Sequence, residues 1–534
     1  MNIRPTAALA AAILLAGHAP SYGGAPQKAT TTADWPSYNG SLTSERFSPL
    51  DQIDVNNVGN LKRLCAYDTG ETTSFETGPI VIGGVAYITT DSTTFAIDAT
   101  TCRLKWRRTV DYPAPSAMRG QRGAAYADGR IFRGNGNGHV YALDAATGEM
   151  LWDTAIGDPR RGETAPAAPI TWNGLVFTGT AGGGMYGVSG TATALDARTG
   201  KPVWTFRLVP GIGEGPPEVE KSWQAPGVPR GGAGSWTSFT LDPRSGRLYI
   251  PTGNPSPIFT APLRPGDNLY ANSIVVLDAM TGRYIDHKQL IPNDTHDWDV
   301  SATPALITTA RGAELTVAGI KDGHVYAIDR ASNAIRYRTA VTHVENADQP
   351  IVAAGTRFCP GVRGGVEWNG PAFSPKLNSI FVGSVDWCTT VSVAAADEVM
   401  KSAKIGRPWT GEPAGGPIYG VQDREWGGFL TAIDADTGAI RWQHRMPTPM
   451  VGATLVTAGG IVLTGDLNGT IQAWDAASGA ELWHHAGDDP VGGGIVTYTV
   501  GQRQYVAVAA GSRAMLWPTG KGDTAKLLLF SLPS

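Results

Sequence analysis

Cysteine is scarce in this sequence, and its placement excludes several chemistries. The four cysteines, Cys65, Cys102, Cys359 and Cys388, form neither a Cys-x-x-Cys nor a Cys-x-x-Cys-His motif. That rules out a covalently attached c-type haem, a zinc ribbon and a thioredoxin-like redox pair on this chain. Charge is sparse too. Asp, Glu, Lys and Arg make up 17% of 534 residues, the net charge is −4, and no basic cluster or stripe stands out. A nucleic-acid binder would leave such a footprint, so none is expected as a partner. Beyond the first residues, no apolar run approaches the ~18 residues of a bilayer-crossing helix, so no membrane span is expected.

The N-terminus reads as an export signal. Arg4 supplies a short positive start, Ala7 to Ala16 an apolar run, and Gly17–Ala19 small residues before Pro20. This places a signal peptide at 1–19, a Gly/Pro/Thr-rich linker at 20–33 and one large domain at 34–534. An even cysteine count in an exported chain favours two disulfides. Proximity in sequence suggests Cys65–Cys102 and Cys359–Cys388, although three pairings are formally possible.

Glycine is abundant: 68 of 534 residues is about 13%, against a usual ~7%. With 16 Trp and 37 Pro and no Gly-X-Y period, this composition suits many short strands joined by tight turns. A repeat explains it. ALDAATGEMLW, ALDARTGKPVW, AIDADTGAIRW and AWDAASGAELW share a turn Asp, a Thr/Ser-Gly pair and a Trp eight residues after the Asp. The seven Asp are 98, 144, 196, 278, 329, 434 and 475. Eight residues on stand Trp106, Trp152, Trp204, Asp286, Tyr337, Trp442 and Trp483. An Asx side chain and a φ > 0 glycine suit a tight turn, and the indole is a flat plug between neighbouring sheets. The expected fold class is all-β, an eight-bladed β-propeller with tryptophan-docking repeats, its ring closed by N- and C-terminal strands. Successive Asp are 46, 52, 82, 51, 105 and 41 residues apart. The two long spacings must carry inserted loops, where function tends to sit.

The repeat resembles the tryptophan-docking motif of quinoprotein alcohol dehydrogenases. Longer, non-repetitive blocks also resemble that pyrroloquinoline quinone (PQQ) dehydrogenase family: DWPSYNGSLTSERFSPLDQID, SWTSFTLDPRSGRLYIPTGNPSPIF, RPGDNLYANSIVVLDAMTG, AGIKDGHVYAIDR and GGVEWNGPAFSPKLNSIFVGSVDWC. The resemblance runs from residue 34 to about 510. The resemblance implies a periplasmic enzyme that oxidises a small-molecule or polymeric alcohol, with bound PQQ and Ca²⁺. Since the haem motif is missing, it also implies a separate soluble cytochrome c as electron acceptor.

Roles follow residue by residue from the resemblance. Trp236 matches the indole that lies under the quinone, where aromatic stacking suits a flat cofactor. Asn254 and Asp299 match the metal ligands, an amide oxygen and a carboxylate suited to a hard cation. Asp299 also matches the catalytic base, with Trp298 helping to fix it; Asp294 and Asp297 in the same loop compete for that role. Lys321 matches a cation near the quinone oxygens. Glu76 and Arg122 match polar contacts to the cofactor, and Trp368 a pocket wall. His296 is expected as a hydrogen-bonding loop residue.

Several departures stand out. PAPSAMRGQRG lacks the vicinal cysteines that many members carry. Glu367 stands where the family commonly has Asn. In TGTAGGGMYGVSG, Gly184 or Met185 falls where an acidic metal ligand is usual, which leaves the metal in question, and Ser189 stands where a basic residue is common. Ser301 is not the additional carboxylate of lanthanide-using relatives. The missing acid keeps open an alternative: a degenerate propeller that binds or scaffolds without turnover.

Overall fold

A computed structural model describes Met1 and residues 33–112, 120–511, 516–517, 522 and 524–533. The expected signal peptide and all but the last residue of the linker fall outside these, Met1 excepted.

The turn chemistry of the repeat builds its own sheet. In the second unit, Ala125–Ala127, Arg130–Gly134, His139–Asp144 and Met150–Ala155 form an antiparallel sheet in that order. Asp144 Oδ1 accepts the N–H groups of Ala146 and Thr147, both at 2.9 Å, and the Thr147 hydroxyl. Gly148 then takes φ +76°, a conformation open to a residue without Cβ. His139–Asp144 is mostly buried, whereas Met150–Ala155 alternates exposed and half-buried residues. The third strand therefore packs between sheets while the fourth meets solvent.

Four of the five repeat indoles dock on the turn of the following sheet. Trp106 Nε1 donates to Ala145 O at 3.0 Å, Trp152 to Ala197 O at 3.1 Å, Trp204 to Ala279 O at 2.9 Å and Trp442 to Ala476 O at 3.3 Å. The Tyr337 hydroxyl reaches Ala435 O in the same way, at 2.9 Å. Under each of these five rings lies a repeat glycine. A Cβ on Gly148 would stand 2.6 Å from the Trp106 ring, and one on Gly282 2.6 Å from Trp204. The glycine thus serves both the turn and the neighbouring indole.

Two joints depart from this pattern by paired replacement. Where Asp286 takes the indole position, Asn333 takes the glycine position at φ +55°, and its side chain donates to Asp286 Oδ2 at 3.1 Å. Between the last sheet and the first, Cys65 stands in the indole slot and Cys102, at φ +58°, in the glycine slot; the two form a disulfide. The second disulfide is Cys359–Cys388, so both pairings agree with the proximity expectation.

Among the described residues, eight sheets of four or five strands follow one another, giving an all-β, propeller-type architecture. One of them draws on both chain ends, in the order Ile495–Val500, Arg503–Gly511, Ala525–Ser531 and then Lys62–Asp68. The segment before Lys62 behaves differently from the expected simple strand. It crosses the first strands of several sheets, accepting at Leu42 O from Leu241, at Thr43 O from Leu306, at Glu45 O from Phe373 and at Arg46 O from Val456. Trp35 exchanges two 2.9 Å backbone bonds with Val81. This strap ties five sheets together through its main chain.

The long spacings hold the expected insertions. Gly231–Gly232 pairs with Pro255–Ser256 in the first, and Thr356–Phe358, Thr389–Val391 and Val421–Gln422 form a small sheet in the second. Cys359–Cys388 staples this second insertion beside its first two strands. No helix among the described residues is long and apolar enough to cross a membrane.

Candidate active site

A cavity of ≈360 Å³ opens among these insertions, and all seven expected site residues line it: Glu76, Arg122, Trp236, Asn254, Asp299, Lys321 and Trp368. Asp297 and Glu367 line it as well, whereas Asp294 does not.

Local structure explains their convergence. The pairing of Gly232 with Pro255 brings Trp236 and Asn254 alongside each other. Buried Arg264 then ties this loop to the next one. It donates to Pro257 O at 2.7 Å, to Asn268 Oδ1 at 2.8 Å, and to the carbonyls of Ile258 and Asp294. Asp294 is an internal brace, its carboxylate accepting the N–H groups of His296 and Trp298 at 2.9 Å each. Trp298 is buried, stacks on His296 and donates from Nε1 to Pro360 O at 3.1 Å. His296 bonds within the loop, to Thr295 Oγ1 at 3.3 Å.

Asp299 is gripped at both oxygens. Trp236 Nε1 donates to Oδ2 at 2.6 Å and the Asn254 N–H to Oδ1 at 2.8 Å. Burial raises its pKa above the ordinary aspartate value, opposed by the charge of Lys321 and by these two donors. Lys321 Nζ donates to Asp297 Oδ2 at 2.7 Å. Burial works against its charge, but Asp297, Glu367 and Asp299 together hold it above the usual lysine range, firmly cationic. Asp297 sits at φ +63°, a left-handed backbone held at the cavity wall.

Across the cavity, Arg122 and Glu76 form a buried ion pair. The guanidinium lies 4.1 Å from the Trp368 ring centre and 5.0 Å from that of Trp236, so it faces both indoles. Its Nε–H meets no acceptor among the described residues. Trp368 Nε1 donates to Gly492 O at 3.2 Å. Burial pushes Glu367 up to about 8, against the pull of Lys321 and Arg122, so it is largely a neutral acid at pH 7.

Gly182, Gly183, Gly184 and Met185 all line the cavity, so neither alignment of this stretch supplies an acid. A Cβ on Gly183 would stand 2.8 Å from Gly234 N, which shows how closely two backbones approach here. Ser189 lines no part of the cavity and donates to Val209 O at 2.9 Å. Among the described residues, the one cluster with metal-ligand spacing is His343, Cys359 and Cys388, whose two sulfurs are already joined to each other.

Arg363, Ile258, Ile418 and Tyr419 also line the cavity and were not anticipated. They lie in irregular insertions without periodicity, so no pattern in the sequence marked them.

Comparison with known proteins gives a consistent set of relatives. The model of the PQQ glucose/ethanol/alcohol dehydrogenase β-propeller domain matches residues 35–334 and 331–506. The quinohemoprotein alcohol dehydrogenase of Comamonas testosteroni is 31% identical over 537 residues, covering 90% of this chain and 73% of that protein. The dehydrogenase subunit of the quinone alcohol dehydrogenase of Gluconacetobacter polyoxogenes is 31% identical over 530 residues, covering 90% and 71%. Among solved structures, a europium-containing methanol dehydrogenase superposes with a TM-score of 0.83 at 25% identity, covering 94% of this chain and 98% of that one.

Proposed function

Because this chain belongs to the PQQ-dependent glucose/ethanol/alcohol dehydrogenase β-propeller family, we propose that it oxidises an alcohol to an aldehyde or ketone in the periplasm. The expected signal peptide supports export, and a soluble cytochrome c is proposed as the electron acceptor. The eight sheets are read as eight blades, the ring closed where Lys62–Asp68 pairs with Ala525–Ser531. One observation carries the functional reading: two indoles, a guanidinium, an ammonium and a buried carboxylate share a single cavity.

These residues fit a flat tricarboxylate. Trp236 and Trp368 offer apolar faces, while Arg122, with its unpartnered Nε–H, and Lys321 offer positive charge. The volume lies within the ~300–1,000 Å³ of small-molecule sites. Asn254 and Asp299 would hold Ca²⁺. With no carboxylate in residues 182–185 the protein brings one anion from this pair, so the ion is held weakly.

When bound, the quinone supplies the hydride acceptor. Asp299 takes the proton of the substrate hydroxyl, and burial makes it a stronger base than a surface aspartate. Trp236 and the Asn254 amide fix both of its oxygens, which removes rotational freedom from the base. Lys321, placed by Asp297, keeps a positive charge in the cavity where negative charge builds during oxidation.

Titrating purified protein with PQQ and Ca²⁺ tests this, read by quenching of indole fluorescence and then by dye reduction with a panel of alcohols. Saturable quenching with dye reduction is the expected result. The missing acid at Gly184/Met185 favours a second reading, a propeller that binds without turnover. Quenching without dye reduction for any alcohol would establish that reading instead.

Glu367 makes a pH prediction. Below about 8 it is neutral; above that it ionises and adds negative charge where a polyanionic cofactor must sit. PQQ affinity is expected to fall by up to about tenfold between pH 7 and 9, and Glu367→Gln to flatten that dependence. Quenching titrations at the two pH values measure both.

A further inference from the structure

We propose that Tyr419 is a specificity-determining residue: its hydroxyl hydrogen-bonds the oxygen of an alcohol whose carbon body is apolar. This rests on the dehydrogenase reading above and names the substrate class for it.

Tyr419 is a half-buried cavity residue that packs against the cluster containing Ile258, Val362 and Val391. A Cβ added to Gly184 would find Tyr419 Oη 3.5 Å away, with Ile258 Cδ1 at the same distance. The phenol therefore projects toward the side-chain-free stretch of the wall. Burial raises its pKa, with Asp297 and Asp299 acting in the same direction, so the hydroxyl stays protonated and can donate. It makes no hydrogen bond to the described residues, which leaves it available to a guest.

The backbone is built to hold it there. Tyr419 has φ +66°, which an L side chain rarely adopts. The Glu412 carboxylate accepts the N–H of Tyr419 at 2.9 Å and that of Gly420 at 2.7 Å, bracing the strained turn. Such strain persists where the surroundings over-determine it, typically at ligand sites.

Much of the lining near it is apolar, although charged Arg363, whose guanidinium interacts electrostatically with the Tyr419 phenol, lines the same cavity. Met185, Ile258, Val362 and Ile418 line the cavity around the phenol, and Ile418 is also exposed to solvent. A polyol would set most of its additional hydroxyls against these apolar side chains, whereas a single hydroxyl on an apolar body satisfies both surfaces.

Tyr419→Phe removes only the hydroxyl and keeps the packing, so folding is not at stake. In this variant the Kd for PQQ, read by indole quenching, is expected to stay within twofold of wild type. Its kcat/KM for benzyl alcohol and for 1-butanol is expected to fall at least tenfold, mostly through KM. Wild-type protein is expected to prefer both alcohols over glycerol by more than a hundredfold in kcat/KM. A variant within twofold of wild type on both alcohols would overturn the proposal, as would glycerol turning over as well as 1-butanol. A parallel loss of PQQ affinity would assign the hydroxyl to the cofactor and also overturn it. Wild-type protein that bound no PQQ would instead remove the parent reading, a result distinct from all of these.

Discussion

Asp299→Asn protein is expected to bind PQQ within a few fold of wild type and to lose about three orders of magnitude in kcat/KM, as befits removal of a positioned general base. The substitution preserves volume and removes the carboxylate proposed as the base. An amide oxygen accepts from either Trp236 Nε1 or the Asn254 N–H, which now hold one carboxylate oxygen each. The amide nitrogen must then face the other donor, so one grip is lost along with the base. The pH profile separates these effects. Burial raises the Asp299 pKa, and only the ionised form accepts a proton. Wild-type kcat/KM is therefore expected to rise with pH through an acid limb displaced above the ordinary aspartate range. In Asp299→Asn that limb is expected to vanish. A limb that persisted unchanged would move the base to another group, with Asp297 the neighbour in the cavity.

Gly282→Ala tests the docking joint. The position combines φ +71° with a Trp204 ring 2.6 Å from any added Cβ. A left-handed conformation costs a side-chain-bearing residue about 1–2 kcal/mol, and overpacking a further ~1–3 kcal/mol, so a loss of about 2–5 kcal/mol is expected. Gly312→Ala is the control: it shares the left-handed backbone at φ +80° but has open space around it, and should show the backbone part alone. Urea midpoints of the two variants, and of Gly282→Ala combined with Trp204→Ala, separate strain from indole contact. Equal losses for Gly282→Ala and Gly312→Ala would mean that the indole does not depend on the glycine.

The repeat was legible because its turn, its glycine and its indole are close in sequence, and each has a local reason to be there. The indole's receiving site was not, since Trp204 and Gly282 meet only after folding. The same holds for the Asp286–Asn333 exchange, which looks like two lapses of the pattern until the pair is seen in contact. The strap at 35–48 makes most of its attachments through main-chain atoms, which leave no trace in residue type. At the site, family resemblance located seven residues that share a cavity, and it matched Asp299 to the base while leaving Asp294 and Asp297 in competition. The three acids lie within six residues of one loop, and geometry alone tells brace, lysine partner and candidate base apart. Tyr419 left no signal, being one aromatic residue in an aperiodic insertion.

The Cys65–Cys102 bond has a consequence for the order of assembly. Both sulfurs lie within the first 102 residues and are separated by 37, so their union needs nothing made later in synthesis. It anchors Lys62–Asp68 beside the first sheet while the strand it will pair with, Ala525–Ser531, is still more than four hundred residues away. The final strand thus arrives at a template already clamped in place, and the entropy of restraining the early edge has been spent on a short loop instead of on the whole circuit. Made where thiols stay reduced, the same chain would have to capture two loose ends at once.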